Sequence, residues 1–294
     1  MTHASILREH LSNRELVVAP GVFDGLTARL AEQAGFTTLY MTGAGTAAAR
    51  GYPDYGLLTM TEMVENAGVI ARSVSVPLIA DADTGFGNEL NVTRTVREYA
   101  QRGVAGIHIE DQLAPKRCGH LDGKELVSRE EFIAKIRAAV GARPDPDFVL
   151  IARTDARAVV GLDEAIWRAN AALDAGADIA FVEAAQGLDE VAAVPRLVDG
   201  PCLLNIVRGG KTPDIGLREI GEMGYRVAIL PSLLLGAVIE SCDSVLKGLR
   251  DTQMPPASAG HASVRERFRR LGSDEWDAIR TRFRDEAVAD GSTS

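Results

Sequence analysis

Residues 77–112 read PLIADADTGFGNELNVTRTVREYAQRGVAGIHIEDQ, and this stretch contains the unit from which the fold is built. Leu78–Asp81 and Gly106–Glu110 are short apolar runs of the kind that form buried strands. Between them, Thr93–Gly103 has helical periodicity, and Gly103 stands where a glycine commonly ends a helix. The stretch therefore predicts a strand, a helix and a second strand, with carboxylates at both strand ends.

The same alternation recurs along most of the chain. The predicted strands are Leu16–Ala19, Thr37–Thr42, Leu78–Asp81, Gly106–Glu110, Phe148–Arg153, Ile179–Glu183, Cys202–Ile206 and Val227–Leu230. The predicted helices include Gly25–Gly35, Thr61–Val74, Thr93–Gly103, Arg129–Val140 and Leu162–Ala175. Eight strands alternating with helices predict a (β/α)8 TIM barrel. An open dinucleotide-binding sheet would need a glycine-rich loop after its first strand, and Ala19-Pro-Gly-Val-Phe-Asp24 is not such a loop.

The C-terminal part differs from the repeating unit. Gln253–Ala262 contains Pro255-Pro256 and has the composition of a linker, and Ser263–Ala289 has a helical pattern. We therefore assign residues 1–252 to the catalytic barrel and residues 253–294 to a linker and helical segment. Because this segment is too short for a domain, we expect it to pack on the barrel or on a neighbouring subunit.

Composition excludes several classes of function. The 294-residue chain has a net charge of −9 and no block of Lys or Arg, so we expect no nucleic-acid partner. No apolar stretch approaches the roughly 20 residues of a membrane span, and the N-terminus lacks a secretory core, so we expect no membrane association. Three widely spaced cysteines favour a reducing compartment. These features predict a cytoplasmic protein.

Seven of the eight predicted strands end in polar or charged residues, which is where a barrel carries its catalytic groups. Asp81, Asp83 and Glu110 would supply oxygen ligands for Mg²⁺, with Mn²⁺ as an alternative, and some would bind through water. The two aspartates could instead form Asx turns into Thr84-Gly85. His108 lies inside an apolar strand, so we interpret it as a hydrogen-bonded core histidine rather than a ligand.

One cysteine lies in polar loop sequence. Lys116-Arg-Cys-Gly-His120 places Cys118 among basic residues, which favour the thiolate and hence proton transfer or nucleophilic attack. A free cysteine is otherwise often a small buried hydrophobe. We interpret Cys202 and Cys242 in that way, and Cys118 as reactive.

Two arginines follow strands. Arg153 could grip a substrate carboxylate, form a salt bridge with Asp155 or Glu183, or do both. Arg208 either faces the pocket or is a solvated loop charge. Gly209-Gly210-Lys211 is only weakly similar to a phosphate-binding turn.

These motifs, in this order, resemble the isocitrate lyase/phosphoenolpyruvate mutase superfamily over nearly the whole chain. The segments that carry the resemblance are Tyr40-Met-Thr-Gly43, Asp81-Ala-Asp-Thr-Gly-Phe-Gly87, Glu110-Asp-Gln112, Lys116-Arg-Cys-Gly-His120 and Ala152-Arg-Thr-Asp-Ala156. The cysteine segment is typical of the carbon–carbon lyase branch, because the phosphoenolpyruvate mutases carry a different loop without the cysteine. The resemblance implies a (β/α)8 barrel and a homotetramer whose subunits exchange their C-terminal helices.

The resemblance also implies roles for single residues. Asp81 would bind the magnesium ion directly, and Asp83, Glu110 and Asp54 would hold its waters. Cys118 would carry the proton within a mobile gating loop. We count Lys116, His120 and Asp54 with Cys118 as catalytic. The substrate-binding residues would be Tyr40, Thr42, Gly43, Ala44, Gly119, Arg153, Glu183 and Asn205, to which we add Arg208.

The implied reaction is the cleavage of a 2-hydroxy diacid. Magnesium would polarise the oxygen that becomes a ketone, the C–C bond would break in a retro-aldol step, and Cys118 would protonate the departing carbanion. Two departures bear on the substrate. Asn205-Ile-Val-Arg208 has an arginine where the family lyases usually have a glutamate, and Leu230–Gly236 lacks the arginine of the 2-methylisocitrate lyases.

These departures favour a 2,3-dimethylmalate or alkylmalate substrate, with 2-methylisocitrate as the next candidate. Other candidate functions are oxaloacetate hydrolysis or decarboxylation, and mutase or hydrolase chemistry at a P–C bond, which the Cys118 loop disfavours. A non-catalytic barrel that senses keto acids is a further alternative. A sensor, however, would not need a proton carrier.

Overall fold

The structure is a computed structural model that describes residues 1–13, 15–119, 121–255 and 263–290. Contacts between residues divide the chain into two compact units, Met1–Ile239 and Glu240–Ser294. All eight strands and all the strand-end residues predicted for the site belong to the first unit.

The first unit contains a closed barrel of parallel strands. The strands are β1 (Val17–Val22), β2 (Leu39–Met41), β3 (Leu78–Asp81), β4 (Gly106–Glu110), β5 (Val149–Thr154), β6 (Ile179–Val182), β7 (Cys202–Asn205) and β8 (Val227–Leu230). They pair in chain order, and β1 closes the barrel by pairing with β8. The predicted (β/α)8 architecture is therefore confirmed.

Helices connect the strands and extend beyond them. They are α1 (His3–Ser12), α2 (Gly25–Gln33), α3 (Gly43–Ala49), α4 (Met60–Ala71), α5 (Glu89–Gln101), α6 (Arg129–Ala142), α7 (Ala156–Val159), α8 (Leu162–Asp174), α9 (Leu188–Leu197), α10 (Leu217–Glu222), α11 (Leu233–Thr252), α12 (Val264–Arg270) and α13 (Ser273–Asp290). Gly35, Gly103 and Gly176 follow α2, α5 and α8 with positive φ angles of 93°, 81° and 104°. The helix end predicted at Gly103 is therefore confirmed, and Gly35 and Gly176 follow their helices in the same way.

The structure differs from the sequence prediction most clearly at the end of β1 and at the N-terminus. The first strand was expected to end at Ala19, but β1 continues through Pro20 to Val22. Gly21 explains this, because a Cβ at that position would lie 2.5 Å from the Cα of Pro231. Because Gly21 has no side chain, β1 can lie close to the chain that follows β8. The helix α1 was not predicted; the Thr2 hydroxyl caps it by accepting a hydrogen bond from Ser5 N.

The alternation of side chains between the two faces of each strand positions the site residues. Ile79, Ile151, Phe181 and Leu203 belong to one buried cluster of the core. Because side chains alternate between the two faces of a strand, the residue two positions further along points to the same side. These residues are Asp81, Arg153, Glu183 and Asn205. The pattern that fills the barrel therefore continues into a layer of polar side chains at the carboxyl ends of the strands.

The C-terminal segment contains two helices, α12 and α13, and α12 ends before Gly272, whose φ is 92°. The predicted linker lies partly outside the described residues, because residues 256–262 are not among them. Cys202 is buried as predicted, but Cys242 is exposed on α11, so its interpretation as a buried residue was wrong. No helix among the described residues is long and apolar enough to cross a membrane.

Candidate active site

The three carboxylates predicted for a metal site lie at the ends of β3 and β4. Asp81, Asp83 and Glu110 are all buried. Asp81 accepts hydrogen bonds from the backbone N–H groups of Gly43 at 3.1 Å and of Asp83 at 2.9 Å. Asp83 has a φ of 45°, a left-handed conformation that aspartate adopts more readily than most residues. Asp81 therefore also stabilises the turn that follows β3, as the alternative interpretation required.

These carboxylates differ in how readily they ionise. Burial raises the pKa of Asp81, but His108, Lys116 and Arg153 outweigh burial and lower this pKa to about 2. Burial raises the pKa of Asp83 to about 6 although Lys116 opposes the shift. Burial also raises the pKa of Glu110 well above its usual range, against the effect of Arg153. A bound cation would stabilise such a cluster in its ionised form.

Glu110 gives the clearest test of whether the site fits a metal ion. Both carboxylate oxygens are buried without a hydrogen-bond partner among the described residues, and Oε2 lies 3.2 Å from Arg153 Nε. Within the part of the chain that the structure describes, no three His, Cys, Asp or Glu residues are grouped so as to hold a metal by themselves. Mg²⁺ usually keeps several waters and takes one or two carboxylates directly. The buried carboxylates of Asp81, Asp83 and Glu110 therefore fit a magnesium ion that keeps some of its waters.

Lys116 is buried between two aspartates. Its Nζ lies 2.5 Å from Asp54 Oδ1 and 3.0 Å from Asp83 Oδ1. Burial lowers the pKa of Lys116, but Asp83 and Asp54 outweigh it and raise this pKa well above its ordinary value, so the ammonium stays charged. Asp54, expected to hold a metal-bound water, therefore has Lys116 as its partner. Asp83 and Lys116 also line a cavity of about 430 Å³.

Arg153, in β5, is buried among three carboxylates. Its Nε lies 3.0 Å from Asp155 Oδ2 and 3.2 Å from Glu110 Oε2, and its Nη2 lies 3.8 Å from Glu183 Oε1. The salt bridge with Asp155, one of the alternatives from the sequence, is therefore present. Glu183 accepts hydrogen bonds from Asn205 Nδ2 at 3.1 and 3.2 Å. The ends of β4, β5, β6 and β7 thus converge on one charged cluster.

The chain after β2 packs against Asp81. Thr42 caps α3 by accepting a hydrogen bond from Gly45 N at 3.3 Å. Gly43 has no room for a side chain, because a Cβ would overlap Asp81 Oδ2. Gly43 therefore lies beside the predicted metal ligand, and Thr42 and Ala44 are its neighbours in the chain.

Tyr40 and His108 form a buried pair next to Asp81. His108 Nε2 lies 2.8 Å from the Tyr40 hydroxyl and 3.4 Å from Asp81 Oδ1. Burial lowers the pKa of His108 to about 4, so the ring is neutral near pH 7. The prediction of a hydrogen-bonded core histidine is correct for Nε2, but Nδ1 has no hydrogen-bond partner among the described residues. The sequence did not reveal the contact of His108 with Asp81.

The segment that carries Cys118, which begins at Lys116 and ends at Lys124, lies against the charged cluster. Cys118 is half-buried and Gly119 is buried. A Cβ at position 119 would overlap the side chains of Glu183 and Arg153, so only glycine permits this approach. Gly119, the residue after the predicted proton carrier Cys118, therefore lies against two predicted substrate-binding residues, Arg153 and Glu183. His120 lies outside the described residues.

The sequence missed residues that hold this segment in place. Gln112 Nε2 donates to Arg117 O at 2.8 Å, and Gln112 Oε1 accepts from Arg117 N at 2.9 Å. Lys124 is buried, donates a hydrogen bond to Gly119 O, and lies 3.0 Å from Asp155 Oδ1. No motif marked Lys124, because a lone lysine in loop sequence normally indicates a solvated charge.

The segment after β7 places its cations away from the buried cluster. Arg208 is exposed, as expected for a solvated loop charge. Lys211 Nζ lies 2.6 Å from Asp122 Oδ1. Lys211 therefore joins this segment to the Cys118 segment instead of completing a phosphate-binding turn.

A family model described as phosphoenolpyruvate phosphomutase matches residues 7–250. The chain belongs to the phosphoenolpyruvate mutase/isocitrate lyase superfamily. The superfamily resemblance seen in the sequence is thus confirmed, and the matched range contains every residue of the site described above.

Two relatives are lyases by name. The chain is 50% identical to 2,3-dimethylmalate lyase of Eubacterium barkeri over 233 residues, which cover 79% of this chain and 81% of the relative. It is 46% identical to 2-methylisocitrate lyase of Aeropyrum pernix over 246 residues, which cover 84% of this chain and 79% of the relative.

Solved structures of the superfamily share the fold. A crystal structure of 2,3-dimethylmalate lyase has a TM-score of 0.90 and 44% identity, covering 95% of this chain and 94% of that chain. A structure of oxaloacetate acetylhydrolase in complex with 3,3-difluorooxalacetate has a TM-score of 0.91 and 43% identity, covering 95% of this chain and 96% of that chain. A structure of phosphonopyruvate hydrolase in complex with oxalate and Mg²⁺ has a TM-score of 0.88 and 34% identity, covering 96% of this chain and 99% of that chain.

Proposed function

We propose that this protein is a Mg²⁺-dependent carbon–carbon lyase that cleaves a substituted malate to an α-keto acid and a carboxylic acid. The observation that carries the proposal is the contact of Gly119 with Arg153 and Glu183. It brings the Cys118 segment, which the lyase branch shares, onto the buried charged cluster. Identity of 50% to a 2,3-dimethylmalate lyase supports the same reaction class.

In this proposal Asp81 is the direct metal ligand, and Asp83 and Glu110 hold metal-bound waters. Magnesium, when bound, supplies a Lewis acid for the oxygen that becomes the ketone. Arg153 binds the carboxylate of the substrate, and Asp155 keeps its guanidinium in place at 3.0 Å. Thr42, Gly43 and Ala44 line the oxyacid end of the substrate, Tyr40 also binds the substrate, and Glu183 and Asn205 complete the pocket.

Cys118 supplies the proton. When the bond between the hydroxyl-bearing carbon and its neighbour breaks, the hydroxyl proton leaves to solvent as the C=O bond forms, and the bonding electron pair goes to the departing carbon. The thiol proton of Cys118 is transferred to that carbon, and the thiolate then takes up a proton from solvent, so that the reaction neither gains nor loses a proton overall. Lys116 keeps the carboxylates of Asp54 and Asp83 together beneath the segment. We also assign His120 a catalytic role on the basis of its motif.

The substrate is a dicarboxylate in this proposal. Arg208 is exposed, and residues 231–236 contain no cation, so neither position offers a buried partner for a third carboxylate. This favours 2,3-dimethylmalate or a related alkylmalate over 2-methylisocitrate.

A panel of substrates tests the function. The protein is incubated with Mg²⁺ and 2,3-dimethylmalate, 2-methylisocitrate, isocitrate, oxaloacetate or phosphonopyruvate, and the appearance or loss of keto acid is followed. We expect keto acid from the malate derivative, and none after the metal is removed with a chelator. No turnover of any hydroxy acid in the panel would exclude the lyase.

Oxaloacetate hydrolysis is the second candidate. The observation that favours it is the likeness to oxaloacetate acetylhydrolase, with a TM-score of 0.91 and 43% identity. Loss of oxaloacetate without cleavage of any hydroxy acid in the same panel would favour this activity.

We also propose that the protein acts as a homotetramer in the cytoplasm. The helix α11 has no buried residue in the single chain, and several of its large apolar side chains are exposed. They are Leu233, Val238, Ile239, Val245, Leu246 and Leu249. A partner subunit would cover such a surface. The three free cysteines are consistent with a reducing compartment.

A further inference from the structure

We propose that Lys124 is a positioning residue that fixes the Cys118 segment over the active site by linking the carbonyl of Gly119 to the carboxylate of Asp155. The proposal rests on the function proposed above, in which Cys118 delivers a proton to the substrate.

Lys124 is an unusual lysine because its charge is buried. Its side chain is only 1% exposed, and lysine is rarely buried unless it is paired. The ammonium donates a hydrogen bond to Gly119 O and lies 3.0 Å from Asp155 Oδ1. Gly123, with a φ of 79°, turns the chain immediately before Lys124. A surface role does not explain a buried ammonium that joins two segments of the site.

Asp155 connects Lys124 to the arginine of the pocket. Oδ2 accepts a hydrogen bond from Arg153 Nε at 3.0 Å, and Oδ1 accepts one from Arg153 Nη2 at 3.2 Å. Burial raises the pKa of Asp155, but Arg153 and Lys124 outweigh it and lower this pKa to about 2, so the carboxylate remains ionised. One carboxylate therefore sets the positions of the pocket arginine and of the segment that carries the thiol.

The contacts of Gly119 show why its position matters. The residue fits so closely against Glu183 and Arg153 that it cannot move towards them. Lys124 holds the Gly119 carbonyl by a hydrogen bond and so limits how far residue 119 can move. Since Cys118 is the preceding residue, the same contacts position its backbone. Displacing a reacting group by about 1 Å can reduce a rate about 100-fold.

Another ion pair of this segment, between Lys211 and Asp122, is much more exposed. Lys211 Nζ lies 2.6 Å from Asp122, but the Asp122 side chain is 95% exposed. Exposed ion pairs contribute little because water and salt screen them. Lys211 is therefore a suitable comparison for Lys124, since both lysines contact the same segment.

The kinetic test replaces each lysine. We expect Lys124→Met to lower kcat at least 30-fold while KM and the affinity for Mg²⁺ stay within threefold, because the metal ligands and Arg153 remain. Lys124→Arg, which keeps a charged donor, should recover part of kcat, and Lys211→Met should change kcat less than threefold. Equal losses in Lys124→Met and Lys211→Met, or wild-type kcat in Lys124→Met, would overturn the proposal.

A second readout needs no substrate. We expect Cys118 in Lys124→Met to react with iodoacetamide at least fivefold faster than in the wild type, as measured by peptide mass spectrometry. Unchanged labelling contradicts the proposal even if no lyase activity is found, whereas faster labelling in a protein without activity refutes only the lyase. Circular dichroism checks folding, and Lys124→Gln, which keeps a neutral donor to Gly119, replaces Lys124→Met if that variant does not fold.

Discussion

The three cysteines of this chain lie in different environments, and only Cys118 is next to the charged cluster. Cys202 is buried in the core, and burial raises its pKa to about 12, so its thiol does not ionise near neutral pH. Cys242 is exposed on α11. Cys118 is half-buried, and the residue after it contacts Arg153 and Glu183. Position therefore distinguishes the proposed proton carrier from the other two thiols.

Replacing Cys118 with serine should abolish cleavage. A hydroxyl has nearly the size of a thiol but gives up its proton far less readily, so we expect kcat to fall about 1,000-fold, within the range of general acid catalysis. The affinities for Mg²⁺ and pyruvate, measured by calorimetry, should not change. Cys242→Ser is the matched control and should keep full activity. Wild-type cleavage by Cys118→Ser would remove the proposed role of the thiol.

At the scale of elements, a cluster of charged side chains joins α6 to α8. Glu164 of α8 accepts hydrogen bonds from Arg129 Nε at 3.0 Å and from Arg168 Nε at 2.8 Å. The Arg129 guanidinium also lies 3.8 Å from the centre of the Trp167 ring. Hydrogen bonds from Arg129 lower the pKa of Glu164 to about 2, against burial and with the help of Arg168. The ionised carboxylate therefore stabilises the packing of these two helices.

This cluster predicts a pH-dependent contribution to stability. Because the pKa of Glu164 falls from 4.5 in the unfolded chain to about 2, its contribution is complete above pH 4.5 and is lost as the pH falls towards 2. Glu164→Gln should cost about 1 kcal/mol at pH 7, a discounted value because the Arg129 side chain is 45% exposed. Urea unfolding should show this difference shrinking between pH 5 and pH 3. A difference that is independent of pH would contradict the assignment.

For the whole molecule, strand periodicity made the fold and much of the site predictable. Residues such as Asp81 and Arg153 stand at the ends of apolar runs, so their convergence follows from the barrel itself. Lys124 could not be found in this way. Its burial depends on Asp155, which follows another strand, and on a loop conformation that no periodic pattern encodes. The contact of His108 with Asp81 likewise depends on the register between β3 and β4.

The surface of α11 is the feature that bears on assembly. Val245, Leu246 and Leu249 fall on one side of the helix, and Leu246 is 63% exposed in the single chain. Ser244 lies on the opposite, polar side of the same helix. An apolar stripe of this length is unfavourable in water unless another subunit covers it.

A charge placed on this stripe should therefore disrupt the proposed tetramer. Leu246→Glu would put a carboxylate into an apolar interface, and we expect light scattering to show dimers or monomers in place of tetramers. Ser244→Glu adds the same charge to the polar side and should leave the mass unchanged. The far-ultraviolet circular dichroism of both variants should match the wild type, because neither position is buried within the chain. A wild-type mass for Leu246→Glu, or a wild-type protein that is monomeric at micromolar concentration, would show that α11 does not mediate assembly.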